Sequence, residues 1–103
     1  MAKIAHIVLL GWTAEATQDQ KQTCADALAG LADRIPGLLS YSSGPQASPE
    51  EAGKGIDFGF TMIFADAAAR DAYLPHPDHQ RVIREAIAPI LRSVQVFDYA
   101  LAD

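Results

Sequence analysis

The clearest signal in the chain is an alternation. Over residues 56–64, IDFGFTMIF, the side chains of Phe58, Phe60, Met62 and Phe64 share one face, while Asp57, Gly59, Thr61 and Ile63 share the other. A period of two predicts a strand. Residues 3–10, KIAHIVLL, are rich in branched apolar side chains and too short for a typical helix, which also predicts a strand. Ile4, His6, Val8 and Leu10 lie on one of its faces, and Ala5, Ile7 and Leu9 on the other, so both faces are mostly apolar. The period then lengthens. Ala27, Leu28, Leu31 and Ile35 recur at helical spacing, Thr17 with Gln20 forms a capping box, and Pro36-Gly37 marks the stop. Residues 38–46, LLSYSSGPQ, suit a second strand that ends at Gly44-Pro45. Residues 47–55 form a loop in which Ser48-Pro49-Glu50-Glu51 suits a single capped turn. Asp66 caps a short helix that Pro75 and Pro77 interrupt. A further helix resumes near Asp78 with Val82, Ile83, Ile87 and Ile90, and Pro89 kinks or ends it. SVQVFDYAL, residues 93–101, is the last strand.

The order strand, helix, strand, strand, helix, strand predicts an α+β fold: a four-stranded antiparallel sheet with both helices on one face. The second sheet face then has nothing to cover it. Large apolar patches on a protein surface mark interfaces, so the pattern predicts a homodimer with two sheets face to face.

Composition narrows the function. The chain has 103 residues, which suits a single domain over 1–103. Its net charge of −5, with scattered Lys and Arg, argues against nucleic acid and against anionic membrane surfaces. No apolar stretch approaches the ~20 residues of a bilayer span. The start reads as a strand rather than a signal peptide, since no small-residue cleavage site follows its apolar run. Cys24 is the only cysteine, so no internal disulfide can form and a cytoplasmic location is expected.

The chemistry concentrates in YLPHPDHQRV, residues 73–82. Pro77 pushes His76 out of helical dihedrals, which makes His76 a cap-like residue outside the helix while His79 lies in its first turn, so the two need not converge on an ion; Asp78 between them is better placed to cap than to bind. A third ligand would have to be His6. No metal site is predicted; a magnesium ion held by backbone carbonyls has no sequence signature and stays open. For acid–base work, His79 at a helix N-terminus is kept neutral by the local field and can accept a proton. Tyr73 offers a phenol donor for a developing oxyanion, and His6 shares the pocket if strand parity turns it inward. The bland alternative is a capping histidine and a core tyrosine.

His6-Ile7-Val8-Leu9, the run F-x-D-A-x-x-x-D-x-Y-x-x-H-P-x-H from Phe64 to His79, and Val96-Phe97-Asp98-Tyr99 together resemble the stress-responsive A/B barrel (dimeric alpha-beta barrel, Dabb) family. The resemblance spans nearly the whole chain. It implies a ferredoxin-like βαββαβ fold and a homodimer joined through its sheets, a dimeric α/β barrel. Fold does not fix function here: some plant members are stress-induced proteins without an established reaction. Plant olivetolic acid cyclase, a relative, closes a polyketide thioester by an aldol condensation. Its catalytic Tyr and His match Tyr73 and His79, and its first-strand His matches His6. The resemblance thus implies a base at His79, an enolate-stabilising phenol at Tyr73, and no cofactor. Where that cyclase has aromatics on its first helix this chain has Cys24, Ala25 and Leu28, and where it has a further pocket His this chain has Phe58, so a different cavity and substrate are expected. Three functions remain open. The first is a dimeric Dabb protein with a small apolar pocket for an apolar or aromatic ligand, lined by Phe58, Phe60, Met62, Phe64, Ile83 and Ile87; the second is a cofactor-independent cyclase, isomerase or lyase acting on a carbonyl compound. A purely structural, stress-protective oligomer is the third.

Overall fold

The computed structural model describes residues 2–50 and 54–102. Strand β1 (Ile4–Trp12) leads to helix α1 (Gln18–Gly30), which tightens into a 3-10 turn over Leu31–Asp33. Strands β2 (Leu38–Pro45) and β3 (Phe58–Phe64) follow. Helix α2 (Ala67–Tyr73) and helix α3 (Pro77–Val82) come next. The last of these runs into a π turn over Ile83–Ile87 and a 3-10 turn over Ala88–Ile90 before strand β4 (Leu91–Ala100).

The predicted caps form. Thr17 Oγ1 accepts from the Gln20 N–H at 3.1 Å while Gln20 Oε1 accepts from the Thr17 N–H at 2.9 Å. Such reciprocal caps are worth about 1 kcal/mol. Asp66 Oδ1 accepts from the Ala69 N–H at 2.8 Å and starts α2. In the loop, Ser48 Oγ takes the Glu50 N–H at 3.2 Å; Glu51, the end of the predicted turn, lies outside the described residues.

The four strands make one antiparallel sheet in the order β2-β3-β1-β4. This is the ferredoxin-like arrangement, α+β, with the helices on one face. The register places His6 opposite Met62 on one side and Asp98 on the other. Val8, Leu10, Trp12, Phe60, Met62 and Phe64 therefore point toward the helices, where Cys24, Leu28 and Leu31 meet them from α1 and its 3-10 turn. Tyr73, Val82, Ile87 and Ile90 close the core from the second helical region. Each such side chain removed from water contributes roughly 1.5–3 kcal/mol, so this row of alternate positions is what holds the layers together.

The second helical region is divided as expected: two prolines break it after α2, and Pro89 turns its end into a 3-10 segment. One difference from expectation has a physical cause. Strand β4 is apolar where no helix reaches it. On the open face Phe97 is 64% exposed and Tyr99 46%. On the helix side, the positions paired with Leu10 and Val8 are Val94 and Val96, which are exposed as well. The uncovered apolar surface therefore wraps around an edge strand instead of lying on one face alone.

Gly37 ties β2 to α2. Its φ is +82°, its carbonyl accepts from the Ala65 N–H at 2.8 Å, and an added Cβ would fall 2.6 Å from that of Ala69. Gly37→Ala is expected to destabilise the fold by about 1–3 kcal/mol. Gly44→Ala, at a position with open space around it, should stay within about 0.5 kcal/mol. Denaturant titration of the two variants checks the contrast.

Candidate functional site

The break between α2 and α3 is built by side chains that replace backbone partners. Pro77 occupies the first helical position of α3, so the cap is the residue before it. His76 Nδ1 accepts from the Asp78 N–H at 3.1 Å. The cap is thus His76, as its place before Pro77 suggests; Asp78, also expected to cap, instead pairs with Arg81 at 2.7 Å. The Leu74 carbonyl is taken by His79 Nδ1 at 2.9 Å and by Gln80 Nε2 at 2.7 Å. A carbonyl only accepts, which assigns the His79 proton to Nδ1. The other ring nitrogen, Nε2, is then a free lone pair whenever the ring is neutral.

Tyr73 lies beneath this ring. The two rings stack with centroids 4.0 Å apart at 32°. Tyr73 is 1% exposed, and its hydroxyl is buried with no hydrogen-bond partner among the described residues. A buried hydroxyl without a partner costs roughly 1–3 kcal/mol. Phe64 flanks Tyr73 at 5.2 Å, and His6 approaches edge-on at 6.0 Å. Strand parity does turn His6 inward. Its Nδ1 sits 2.7 Å from Asp98 Oδ1, and Asp98 Oδ2 accepts from Arg70 Nη1 at 2.6 Å. Arg70 also donates to Asp71 at 2.8 Å. The three predicted residues His79, Tyr73 and His6 are thus brought together, with a carboxylate and a guanidinium behind them.

Electrostatics favour neutral forms here. Burial lowers the His79 pKa from its ordinary 6.5; the hydrogen bond to Leu74 pulls weakly the other way. Burial, not the helix field, is the leading cause. Burial also raises the Tyr73 pKa, so the phenol keeps its proton, and it raises the buried Cys24 thiol to about 11.

The expected pocket residues divide. Met62 and Phe64 are wholly enclosed in the core, Phe60 and Ile87 nearly so, and Ile83 packs against it. Phe58 instead lines a cleft of ≈ 870 Å³ at the far end of the sheet, with Trp12, Lys21, Ala25, Asp57 and Arg92 among its walls. Trp12 and Phe58 lie 5.8 Å apart. Arg92 fixes the rim: Nε donates to the Trp12 carbonyl at 3.0 Å and Nη2 to the Gly55 carbonyl at 2.6 Å. Asp57 accepts from the Trp12 N–H at 2.8 Å. Lys21 makes no ion pair among the described residues. Tyr73 packs at the Phe64 end of β3 and the cleft opens at its Phe58 end. Six strand residues span about 20 Å, and Phe60 and Met62 fill the interval.

Sequence reasoning missed Asp98, Arg70, Trp12 and Arg92. An acid inside the apolar run VFDY was the available signal for Asp98; the others gave none. Among the described residues, no three His, Cys, Asp or Glu side chains cluster as they would around a metal ion, and no helix is long and apolar enough to cross a membrane.

Fold and site together define a ferredoxin-like α+β protein with a buried tyrosine stacked on a half-buried histidine at a helix break. The chain belongs to the stress responsive A/B barrel domain (Dabb) family, whose model matches residues 4–101. It is similar to a dimeric ferredoxin-like protein of unknown function from Thermobifida fusca YX (31% identity, 97% of this chain and 92% of that one, TM-score 0.84). A second dimeric ferredoxin-like protein of unknown function, from Jannaschia sp. CCS1, shares 31% identity over 96% of this chain and 99% of its own, TM-score 0.81. Hydroxynitrile lyase from Passiflora edulis shares the fold at 16% identity (99% of this chain, 95% of that one, TM-score 0.87). No curated protein matches.

Two outcomes are expected. The His79 pKa in the folded protein, read by NMR, lies below 6.5. Protons then bind the unfolded chain more readily, so this contribution to stability is complete above pH 6.5 and is lost as pH falls toward the folded value. Tyr73→Phe, which removes a hydroxyl with no partner, leaves stability unchanged or raises it by up to about 1 kcal/mol; a clear loss in thermal unfolding would mean the hydroxyl is bonded.

Proposed function

We propose that the protein acts as a homodimer that binds a small, apolar or aromatic ligand in the cleft between α1 and the Trp12–Phe58 end of the sheet. The cleft carries this reading. It combines an aromatic pair with Lys21, which makes no ion pair among the described residues, a combination that suits a flat apolar body bearing an acidic or polar group. Self-association is supported by the uncovered Phe97 and Tyr99 and by the two relatives at 31% identity, each described as dimeric.

Trp12 is the only tryptophan, so it reports on its own cleft. Aromatic carboxylates from a ligand panel are expected to shift or quench its emission, and Ala25→Phe, which fills the cleft from α1, to weaken that binding at least tenfold. No response to any member of the panel would end the ligand reading. Sedimentation is expected to show a dimer at micromolar concentration, and Phe97→Glu a shift toward single subunits. A wild-type protein that sediments as one subunit would remove the dimer.

A second reading is favoured by the unpartnered Tyr73 hydroxyl beside His79. In it, His79 Nε2 removes a proton alpha to a carbonyl, Tyr73 donates to the enolate oxygen, and His6, held by Asp98, sits behind the pair. The protein is then a cofactor-independent isomerase, lyase or cyclase. Unbranched, flexible Met62 is the side chain best able to give way to a ligand at Tyr73. In deuterium oxide, the protein should exchange the alpha protons of a small ketone, and His79→Gln should slow that exchange roughly a hundredfold or more. Equal exchange by wild type and variant rejects proton transfer at His79.

A further inference from the structure

Strand β4 begins with an irregularity. Gly11 pairs with Ser93 and Trp12 with Leu91, so Arg92 is left over between two paired residues. A bulge of this kind re-aims a side chain, and here Arg92 is turned onto the wall of the cleft beside Trp12. Gly11 makes room for it: a Cβ there would fall 2.5 Å from Arg92 Nη2 and 2.4 Å from the Gly55 carbonyl oxygen. The guanidinium is then fixed by two carbonyls, that of Trp12 through Nε and that of Gly55 through Nη2. Both are neutral acceptors, so they orient the cation without cancelling its charge. Nη1 makes no hydrogen bond among the described residues. One carboxylate is close. Asp57 Oδ2 lies 3.5 Å from Nη2, but it accepts from the Trp12 N–H, and both side chains are about half exposed. Such a pair contributes little.

Among the described residues, the charged side chains lining the cleft are Lys21, Arg92 and Asp57. Two cations stand against one acid, in a chain whose net charge is −5. The cleft is thus locally positive on an acidic protein. Lys21 is a flexible, strongly hydrated point charge, whereas Arg92 presents a planar fork already held in place. Ordering that fork for a ligand costs little. Trp12 belongs to the same unit, since its N–H goes to Asp57 and its carbonyl to Arg92. The aromatic surface and the cation therefore keep a fixed spacing. We infer that Arg92 is the carboxylate-binding residue of the cleft, and that the ligand is a rigid aromatic acid bound as its anion, with its ring against Trp12 and Phe58. A carboxylate matches the fork of a guanidinium; a neutral amide or alcohol leaves the excess positive charge unanswered. The inference rests on the ligand-binding reading of the cleft and adds to it the charge of the ligand and the residue that selects it.

The test uses the whole protein labelled with nitrogen-15. Trp12 is the only tryptophan, so a single indole N–H signal reports on the cleft. The Arg92 Nε–H signal, assigned through its backbone, reports on the cation. The probes are cinnamate, cinnamamide, which has the same shape without the charge, and acetate, which has the charge without the ring. Cinnamate is expected to move both signals and to bind about tenfold more tightly than cinnamamide, with acetate far weaker. Arg92→Gln should bring cinnamate down to the level of cinnamamide and leave cinnamamide binding as in wild type, which shows the cleft intact. Lys21→Gln should cost less than Arg92→Gln. Should the Arg92 variant not fold, the wild-type signal decides: at equal occupancy cinnamate moves Arg92 Nε–H further than cinnamamide does. If the two probes bind wild type alike and move that signal alike, or if Lys21→Gln removes the preference and Arg92→Gln keeps it, Arg92 as the carboxylate position is overturned and the cleft still binds a ligand. If acetate binds as tightly as cinnamate, the cationic position stands and the aromatic reading of the cleft fails. If no probe moves the Trp12 signal, both are overturned.

Discussion

The site depends on an exchange of hydrogen-bond partners at the break between α2 and α3. In an unbroken helix the Leu74 carbonyl would accept from the Asp78 N–H. The prolines at 75 and 77 prevent this. The Asp78 N–H goes to the His76 side chain, and the Leu74 carbonyl goes to His79 and Gln80. Backbone groups are satisfied on both sides of the gap, as buried or half-buried ones must be. One exchange thus caps the second helix, orients the His79 ring and fixes its tautomer.

Tyr73 follows from the same geometry. It is the last residue of α2, and its carbonyl accepts from the His76 N–H at 3.0 Å. That bond holds the turn closed, so the His79 ring settles over the Tyr73 ring. An offset or tilted aromatic pair contributes about 0.5–1.5 kcal/mol beyond the area it buries. Below them the sheet supplies Phe64 and His6, and β4 supplies the carboxylate of Asp98. Three separate segments meet because the register of β1 is fixed against β3 and β4 at once. A slip by one residue would turn His6 to the open face.

Much of this was legible beforehand. The alternation at Phe58–Phe64, the capping box at Thr17 and Gln20, and the stop at Gly37 are local signals with local causes, and they located the elements to within a few residues. The nearness of Tyr73 and His79 was also readable, since they flank one short break. The unpartnered state of the Tyr73 hydroxyl was not, because it depends on the rings of His6, Phe64 and His79 that pack around it from other elements. The cleft was missed for a similar reason. Its rim is held by Arg92, and the partners of that side chain, at Trp12, Gly55 and Asp57, are tens of residues away along the chain. Phe60 and Met62 looked like pocket walls because alternation shows which face a residue takes but not whether the opposing layer leaves a gap.

Cys24 has a practical meaning. It sits at the centre of α1 with no exposed surface, and burial keeps it in the thiol form well above neutral pH. Oxidants and alkylating reagents act on the exposed thiolate, so the native fold is chemically mute toward them. A cysteine introduced anywhere on the outside would take a spin or fluorescent label without competition, and the spacing between copies, or the entry of a guest into the interior, could be followed in the otherwise unaltered molecule.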